Sequence, residues 1–245
     1  MLDVVRVLGI QFFKGRVKDV FDFLHINGGL MTVPAGPNLA VLDKDIAYYE
    51  SLLNSDIVIP DSGFMVLTWN LLSSNKLFKI SGLAFINHFI RNLDVVKETG
   101  IFLINPTDID GEINQKFLNE RGLSIKKEFM YTAPIYKEDI TDKIVLAKIE
   151  EQKPHWVMIN IGGGVQEKLG LYLKSNLSYY PVILCTGAAI AFKTGRQVNI
   201  PVWVDKLYLG WLFRCISNPK LYIQRYLKGF RLFVLIVKYR SKIVI

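Results

Sequence analysis

A chain of 245 residues is long enough to bury a sizeable core, and with 51% hydrophobic against 21% charged residues it lies far from the composition of a disordered protein. Its two cysteines, Cys185 and Cys215, sit in separate apolar stretches without CxxC or His-linked spacing, which removes a cysteine-based metal site and marks both as buried free thiols of a reducing compartment. The net charge of +8 is concentrated in the tail, where from Arg196 to Ile245 ten Lys and Arg face the single acid Asp205 and the preceding residues are close to neutral.

In chain order, short apolar runs rich in β-branched residues alternate with segments of helical period. The expected elements begin with a strand at Val5–Phe13, a helix at Arg16–His25 closed by Gly28-Gly29, a strand at Leu30–Pro34 and a helix at Asn38–Asn54. A strand at Ile57–Pro60 and a helix at Phe64–Leu72 follow, then a helix at Leu83–Glu98 ending at Gly100. Next come a strand at Ile101–Asn105, a helix at Asp110–Arg121 ending at Gly122, and a further strand candidate at Leu123–Tyr131. A helix at Thr141–Gln152 before Pro154, a strand at His155–Ile161, a helix at Val165–Ser175 and a strand at Val182–Thr186 complete the body. This alternation predicts an α/β fold with a Rossmann-like, mostly parallel sheet flanked by helices. No repeat, low-complexity stretch or Ser/Gly linker interrupts residues 1–195, which are expected to form one domain.

After Gly195 the composition changes. Lys206–Ile216 and Pro219–Val237 are helix-like, with Asn218 placed to cap the second and Pro219 at its favoured first position. On that second segment Lys220, Arg225, Lys228 and Arg231 interleave with Leu221, Tyr222, Tyr226, Leu227 and Phe230. Residues 196–245 are therefore expected to be a basic helical appendage suited to a membrane interface, where each basic residue contributes on the order of 1 kcal/mol. The competing reading is a C-terminal helix docked on its own domain with a solvated basic face. The longest wholly apolar run near the tail, Leu232 to Val237, is six residues, against roughly 20 for a bilayer span, so no transmembrane helix is predicted. The N-terminus lacks a secretory pattern. The expected location is thus cytoplasmic, peripheral at the inner face of the plasma membrane.

In an open parallel sheet ligands bind beyond the carboxyl ends of the strands, which directs attention to four places. Pro60-Asp61-Ser62-Gly63 puts an acid directly after a strand and before a helix, where it serves either as helix cap or as general base. Gly162-Gly163-Gly164-Val165-Gln166-Glu167 removes side chains so that backbone N–H groups and a helix N-terminus can approach phosphate oxygens, although steric needs of a tight turn also call for glycine. Thr186-Gly187-Ala188-Ala189 is a run of small residues after the last strand. Asn105-Pro106-Thr107-Asp108-Ile109-Asp110 contains an Asp-x-Asp that formally matches a metal-binding pair, but two acids at a helix start serve as caps and dipole partners. No metal is predicted. His25, His88 and His155 are isolated and read as structural, and no Walker A sequence is present.

In this order the residues resemble the WecG/TagA/CpsF family of bacterial glycosyltransferases (glycosyltransferase family 26), over nearly the whole chain and most closely from Lys153 onward. "KPHWVMINIGGGVQEKLGLYL" is similar to the family's stretch ending in a glycine loop and Gln-Glu. "VILCTGAAIAFKTG" is similar to its next strand and small-residue turn, and "LGWLFRCISNPKLYIQRYL" to its closing Trp-Leu-x-Arg, Pro and Arg-Tyr segment. "SDIVIPDSGFMVL" and "ISGLAFI" match its Asp-Gly and Gly-containing elements.

The resemblance implies an inverting transfer from a UDP-sugar, commonly of N-acetylmannosamine type, to an undecaprenyl-diphosphate-linked sugar in cell-surface polysaccharide synthesis. No metal and no cofactor are expected, with the nucleotide-sugar as substrate. The implied base is Asp61. The donor is expected to meet Ser62, Gly63, Gly82, Asn105, Gly162, Gly163, Gly164, Gln166, Glu167, Gly187 and Ala188. Arg196, Arg214 and Arg225 are expected to approach the acceptor and its diphosphate, with Arg231 a looser match. The partners implied are the donor, the polyprenyl-diphosphate-linked acceptor and an anionic membrane surface rather than nucleic acid; a homo-oligomer is compatible with the sequence. The chain departs from the family at Gly210 before Trp211, at Val33-Pro34-Ala35-Gly36-Pro37-Asn38 in place of a Thr-x-Asn element, and at Asn105-Pro106-Thr107 in place of a glycine-rich turn. Each touches the expected pocket, which points to an altered substrate. Two rivals stand beside this reading. A dinucleotide-dependent oxidoreductase needs a glycine fingerprint after the first strand, which Gln11-Phe12-Phe13-Lys14-Gly15 does not supply. A non-enzymatic nucleotide-binding or membrane adaptor needs only the body and the basic tail.

Overall fold

The computed structural model describes residues 2–137, 140–195, 216 and 229–244. The chain opens with β1 (Val4–Val7) and β2 (Ile10–Phe13), an antiparallel pair in which Val7 lies opposite Ile10. The single strand expected at Val5–Phe13 is thus a hairpin. Leu8 and Gly9 turn the chain with φ of 53° and 79°, the left-handed pair that a two-residue hairpin loop requires. Leucine gives no turn signal, and it is tolerated here because its side chain is buried and its backbone is bound on both sides. The Leu8 N–H donates to the Arg240 carbonyl at 2.6 Å, and the Tyr49 hydroxyl donates to the Leu8 carbonyl at 2.7 Å.

Helix α1 (Val17–Asn27) leads to β3 (Gly29–Thr32). The helix expected over Asn38–Asn54 is two, α2 (Gly36–Leu39) and α3 (Ile46–Leu53), because Asp45 starts a new helix by accepting from the Tyr48 N–H at 3.0 Å. After β4 (Ile57–Val58) come α4 (Gly63–Leu72), α5 (Gly82–Arg91) and α6 (Leu93–Thr99). The last two replace the expected Leu83–Glu98 helix, broken at Asn92, whose φ of −118° and ψ of 30° leave the helical region. Then follow β5 (Ile101–Asn105), α7 (Asp108–Asn119), β6 (Met130–Thr132), α8 (Lys143–Gln152), β7 (Trp156–Ile159), α9 (Val165–Asn176) and β8 (Val182–Cys185). Most of the strand expected at Leu123–Tyr131 is irregular, with one 3₁₀ turn at Lys127–Phe129 before the short β6.

The eight strands form one sheet in the order β1-β2-β4-β3-β8-β7-β5-β6, parallel at every pairing except β1 with β2. The expected α/β, Rossmann-like architecture is what the chain adopts. Strands buried on both faces need apolar residues at every position, and Ile101–Ile104, Trp156–Ile159 and Val182–Cys185 supply them. Side chains alternate across the sheet. Met31, Leu103, Met158 and Leu184 pack under α1, α5, α6 and α7, through Phe21, Phe85, Phe89, Val96 and Leu118. Leu30, Ile104, Val157 and Ile183 pack under α8 and α9, through Val145, Ile149, Leu169 and Leu173.

A third apolar cluster closes the β1–β2 end, and the chain's last described helix, α10 (Arg231–Tyr239), belongs to it. Its Leu232, Leu235 and Ile236 are buried, and it packs against α2 and α4. Arg231 donates to the Ala40 carbonyl at 2.9 Å and pairs with Asp43. In residues 229–244, therefore, the tail is docked on the body, while Phe230, Phe233, Val234 and Val237 remain exposed on its outer side. The expected helix at Lys206–Ile216 (apart from Ile216), the first part of that at Pro219–Val237, and Arg196, Arg214, Arg225 and Cys215 lie outside the described residues. Among the described residues no helix is long and apolar enough to cross a membrane.

Candidate functional site

The site is built where the parallel strands end. Between β7 and β5 the chain departs in opposite senses. From β5 it enters α7 on one face and returns at β6, and from β7 it enters α9 on the other face and returns at β8. Such a switch of direction opens a crevice at the carboxyl ends.

Asp61, just past β4, is half-buried and accepts a hydrogen bond from the Gly82 N–H at 3.1 Å. It is not the cap of α4; Ser62 is, its Oγ accepting from the Met65 N–H at 3.3 Å. The capping role that competes with chemistry for Asp61 is thereby taken by its neighbour. Ser62 is buried in that role, and its hydroxyl lies 2.8 Å from where a Cβ on Gly36 would be. Gly63 opens α4. Gly82 opens α5 in tight quarters: a Cβ there would lie 3.2 Å from Val33 Cγ1 and 3.8 Å from both the Thr186 carbonyl oxygen and Ala189 Cβ. Asp61 is thus joined through Gly82 to the turn that follows β8.

That turn, a 3₁₀ segment at Gly187–Phe192 that includes Ala188, is joined in turn to the glycine loop. The Gly187 N–H donates to Gln166 Oε1 at 2.8 Å, and Gln166 Nε2 donates to Glu167 Oε1 at 3.0 Å and to the Cys185 carbonyl at 3.3 Å. Glu167 Oε2 accepts from the Gly164 N–H at 2.6 Å. Gln166 and Glu167 are both buried; they hold the two turns together. Burial pushes the Glu167 carboxyl up to about 7, against the hydrogen bonds from Gln166 and Gly164 that favour its charged form. Gly164, at φ 93°, takes a conformation that suits glycine. Gly162 faces open space, and the amides of Gly162 and Gly163 make no hydrogen bond among the described residues. Asn38, from α2, leans over the loop, its Nδ2 2.8 Å from where a Gly163 Cβ would stand.

Strand register lines up a row of side chains across this edge. Val33 and Thr186 come one residue past the last β3–β8 pair and Asn160 and Asn105 one past the last β7–β5 pair, all four on the face that α1, α5 and α7 cover. Asn105 Oδ1 accepts from Asn160 Nδ2 at 3.1 Å and from Asn114 Nδ2 of α7 at 2.9 Å. Asn160 Oδ1, Asn105 Nδ2 and Thr186 Oγ1 are buried with no hydrogen-bond partner among the described residues. An unmet buried polar atom costs about 1–3 kcal/mol, so three of them along one edge make that edge the candidate for a ligand's polar groups. Sequence reasoning selected Asn105 and the Thr186 turn. It placed Asn38 only within the Val33–Asn38 segment touching the pocket, and it missed Asn160 and Asn114, the first a lone amide at the end of an apolar strand.

The Asp-x-Asp is structural. Asp110 folds back on Thr107, which donates to it at 2.6 Å and caps α7, while Asp108 accepts from Thr132. Among the described residues no group of three His, Cys, Asp or Glu is placed to hold a metal ion. His25 stacks on Trp156 and His155 meets the same ring edge-on, and His155 lies just before β7, at the opposite end of the sheet. The Cys185 thiol is buried and donates to the Gln166 carbonyl at 3.2 Å.

The chain matches the model of the glycosyl transferase WecG/TagA/CpsF family over residues 5–243. It is similar to the N-acetylglucosaminyldiphosphoundecaprenol N-acetyl-beta-D-mannosaminyltransferase of Staphylococcus aureus (strain MRSA252), with 24% identity over 225 residues, which cover 88% of this chain and 85% of that relative.

Proposed function

The chain belongs to the WecG/TagA/CpsF family of glycosyltransferases, and from that premise we propose that it moves an N-acetylmannosamine-type sugar from a UDP-sugar to an undecaprenyl-diphosphate-linked acceptor, with Asp61 as general base and without a metal. The observation that carries the proposal is the link between a half-buried carboxylate and two glycine turns: Asp61 to Gly82, Gly82 against Thr186, and Gly187 through Gln166 and Glu167 to Gly164. In an inverting step the acceptor hydroxyl oxygen attacks the anomeric carbon as the bond to UDP breaks. The hydroxyl proton passes to Asp61, and UDP leaves with the electron pair. Charge gathering on UDP needs donors fixed in advance. Gly162 and Gly163 can offer their amides, since that of Gly164 is held by Glu167. Arg196, Arg214 and Arg225 are proposed to meet the diphosphates in place of a metal. The relative's name supplies the first pair to assay. Full-length protein given UDP-N-acetylmannosamine and undecaprenyl-diphosphate-N-acetylglucosamine is expected to release UDP and lengthen the lipid-linked sugar by one residue. Binding of the donor without transfer to any lipid-linked sugar would defeat the proposal.

The acceptor's lipid implies work at a membrane surface, and the outer side of α10 supports that reading. Phe230, Phe233, Val234 and Val237 are exposed there, with the Phe230 ring 6.1 Å from that of Phe64 on α4, whose Leu67 and Leu71 are exposed too, and close in sequence to Lys238, Arg240 and Lys242. Because Leu232, Leu235 and Ile236 are core residues, deleting the tail would disturb the body, and a surface double substitution is the better test. Val234→Asp with Val237→Asp is expected to abolish co-sedimentation with anionic vesicles while leaving the melting temperature within a few degrees. Unchanged sedimentation would remove this face from the membrane contact.

A further inference from the structure

We infer that Asn160 reads the nucleoside of the donor, its side-chain carbonyl accepting a hydrogen bond from a nucleoside N–H or O–H. The inference rests on the donor reading above and adds which end of the donor lies where. The order of strands along the edge is β4, β3, β8, β7, β5. Asp61 stands at the β4 end, where the sugar must lie if its anomeric carbon is to meet an activated hydroxyl. The glycine turns follow β8 and β7 and take the diphosphate. A linear sugar–diphosphate–nucleoside laid along this edge brings its nucleoside to the β7–β5 side, where Asn160 and Asn105 stand.

The chemistry of the asparagines agrees. Asn160 is 8% exposed, and its amide is oriented by donation to Asn105 Oδ1 at 3.1 Å, which is fixed in turn by Asn114 at 2.9 Å. Its carbonyl is left buried and without a partner among the described residues. An acceptor so placed is ill matched to an ionised diphosphate, which has only acceptors to offer, and well matched to a group that donates. In a uridine nucleotide the donors are the base imide N–H and the ribose hydroxyls. Asn105 is a positioning residue in this scheme, since it touches Asn160 and fixes which way its amide points.

Calorimetric titration of the full chain with UDP, N3-methyl-UDP, 2′-deoxy-UDP and 3′-deoxy-UDP tests the inference and separates base from ribose. One analogue, the one that lacks the donated hydrogen, is expected to bind about tenfold or more weakly than UDP. Asn160→Ala is expected to bind UDP about as weakly as wild type binds that analogue, and to treat the two alike. Asn105→Ala is expected to blunt the discrimination in the same direction, which keeps the test open should Asn160→Ala not fold. Equal binding of all four nucleotides by wild type, or undiminished discrimination by the Asn160 variant, overturns the inference alone. Failure of wild type to bind UDP overturns the donor assignment as well.

Discussion

Asp61→Asn is expected to lower turnover by about 10²–10⁴-fold, the contribution of a positioned general base, with folding and UDP affinity retained. The geometry makes the substitution clean. Asparagine has the same shape, and its side-chain oxygen can still accept the Gly82 N–H that the carboxylate accepts at 3.1 Å. Helix α4 does not depend on the charge, because Ser62 caps it. What the substitution removes is the carboxylate's charge and with it its basicity. Initial rates with a synthetic acceptor, alongside a thermal shift with UDP, check the prediction. Wild-type turnover would remove the base role. A parallel collapse of UDP affinity would reassign Asp61 to holding the site together.

The largest expected effect on stability lies far from the chemistry, at Gly28. This residue joins α1 to β3 with φ of 70°, and a Cβ on it would stand 2.1 Å from the Tyr180 backbone oxygen. The next N–H, that of Gly29, donates to the Pro181 carbonyl at 2.9 Å, so the contact sets the start of the β3–β8 pairing. A side chain here cannot be relieved by a rotamer change; two backbone segments must part. Gly28→Ala is expected to cost about 4 kcal/mol or more and, for a chain of this size, to lower the melting temperature by roughly 10 °C. Denaturant titration of both proteins measures the difference. A loss under about 1 kcal/mol, the ordinary price of a left-handed alanine, would show that Tyr180 yields easily.

Legibility of the fold followed burial. Ile101–Asn105 is read with its observed bounds, and β7 and β8 nearly so, because a strand covered on both faces is written as an unbroken apolar run. The hairpin escaped because its turn contains Leu8, whose burial makes Val5–Phe13 look continuous. The helix breaks at Asp45 and Asn92 escaped for a different reason: apolar periodicity persists across both, and only local capping interrupts it. In the candidate site, Asp61 and the glycine turns could be selected by position, since each follows a strand. Gln166 and Glu167 were selected as donor contacts, but their bracing of the two turns was not legible, because a sequence does not say which loops a polar pair ties together. Asn160 was invisible. One amide in Met-Ile-Asn-Ile looks like any satisfied core residue until its neighbours on β5 and α7 are known.

The clasp around Leu8 joins residues far apart in the order of synthesis. Its carbonyl meets Tyr49, its amide meets Arg240, and the Tyr49 oxygen also receives the Val244 N–H at 3.0 Å. Residues 240–244 emerge from the ribosome long after the hairpin, so the nascent sheet waits with one flank unfinished until they arrive. Extensions fused beyond Val244, or cleavage just before Arg240, should therefore be felt first at the opposite terminus, as exposure of the hairpin's own apolar face to partners that promote aggregation.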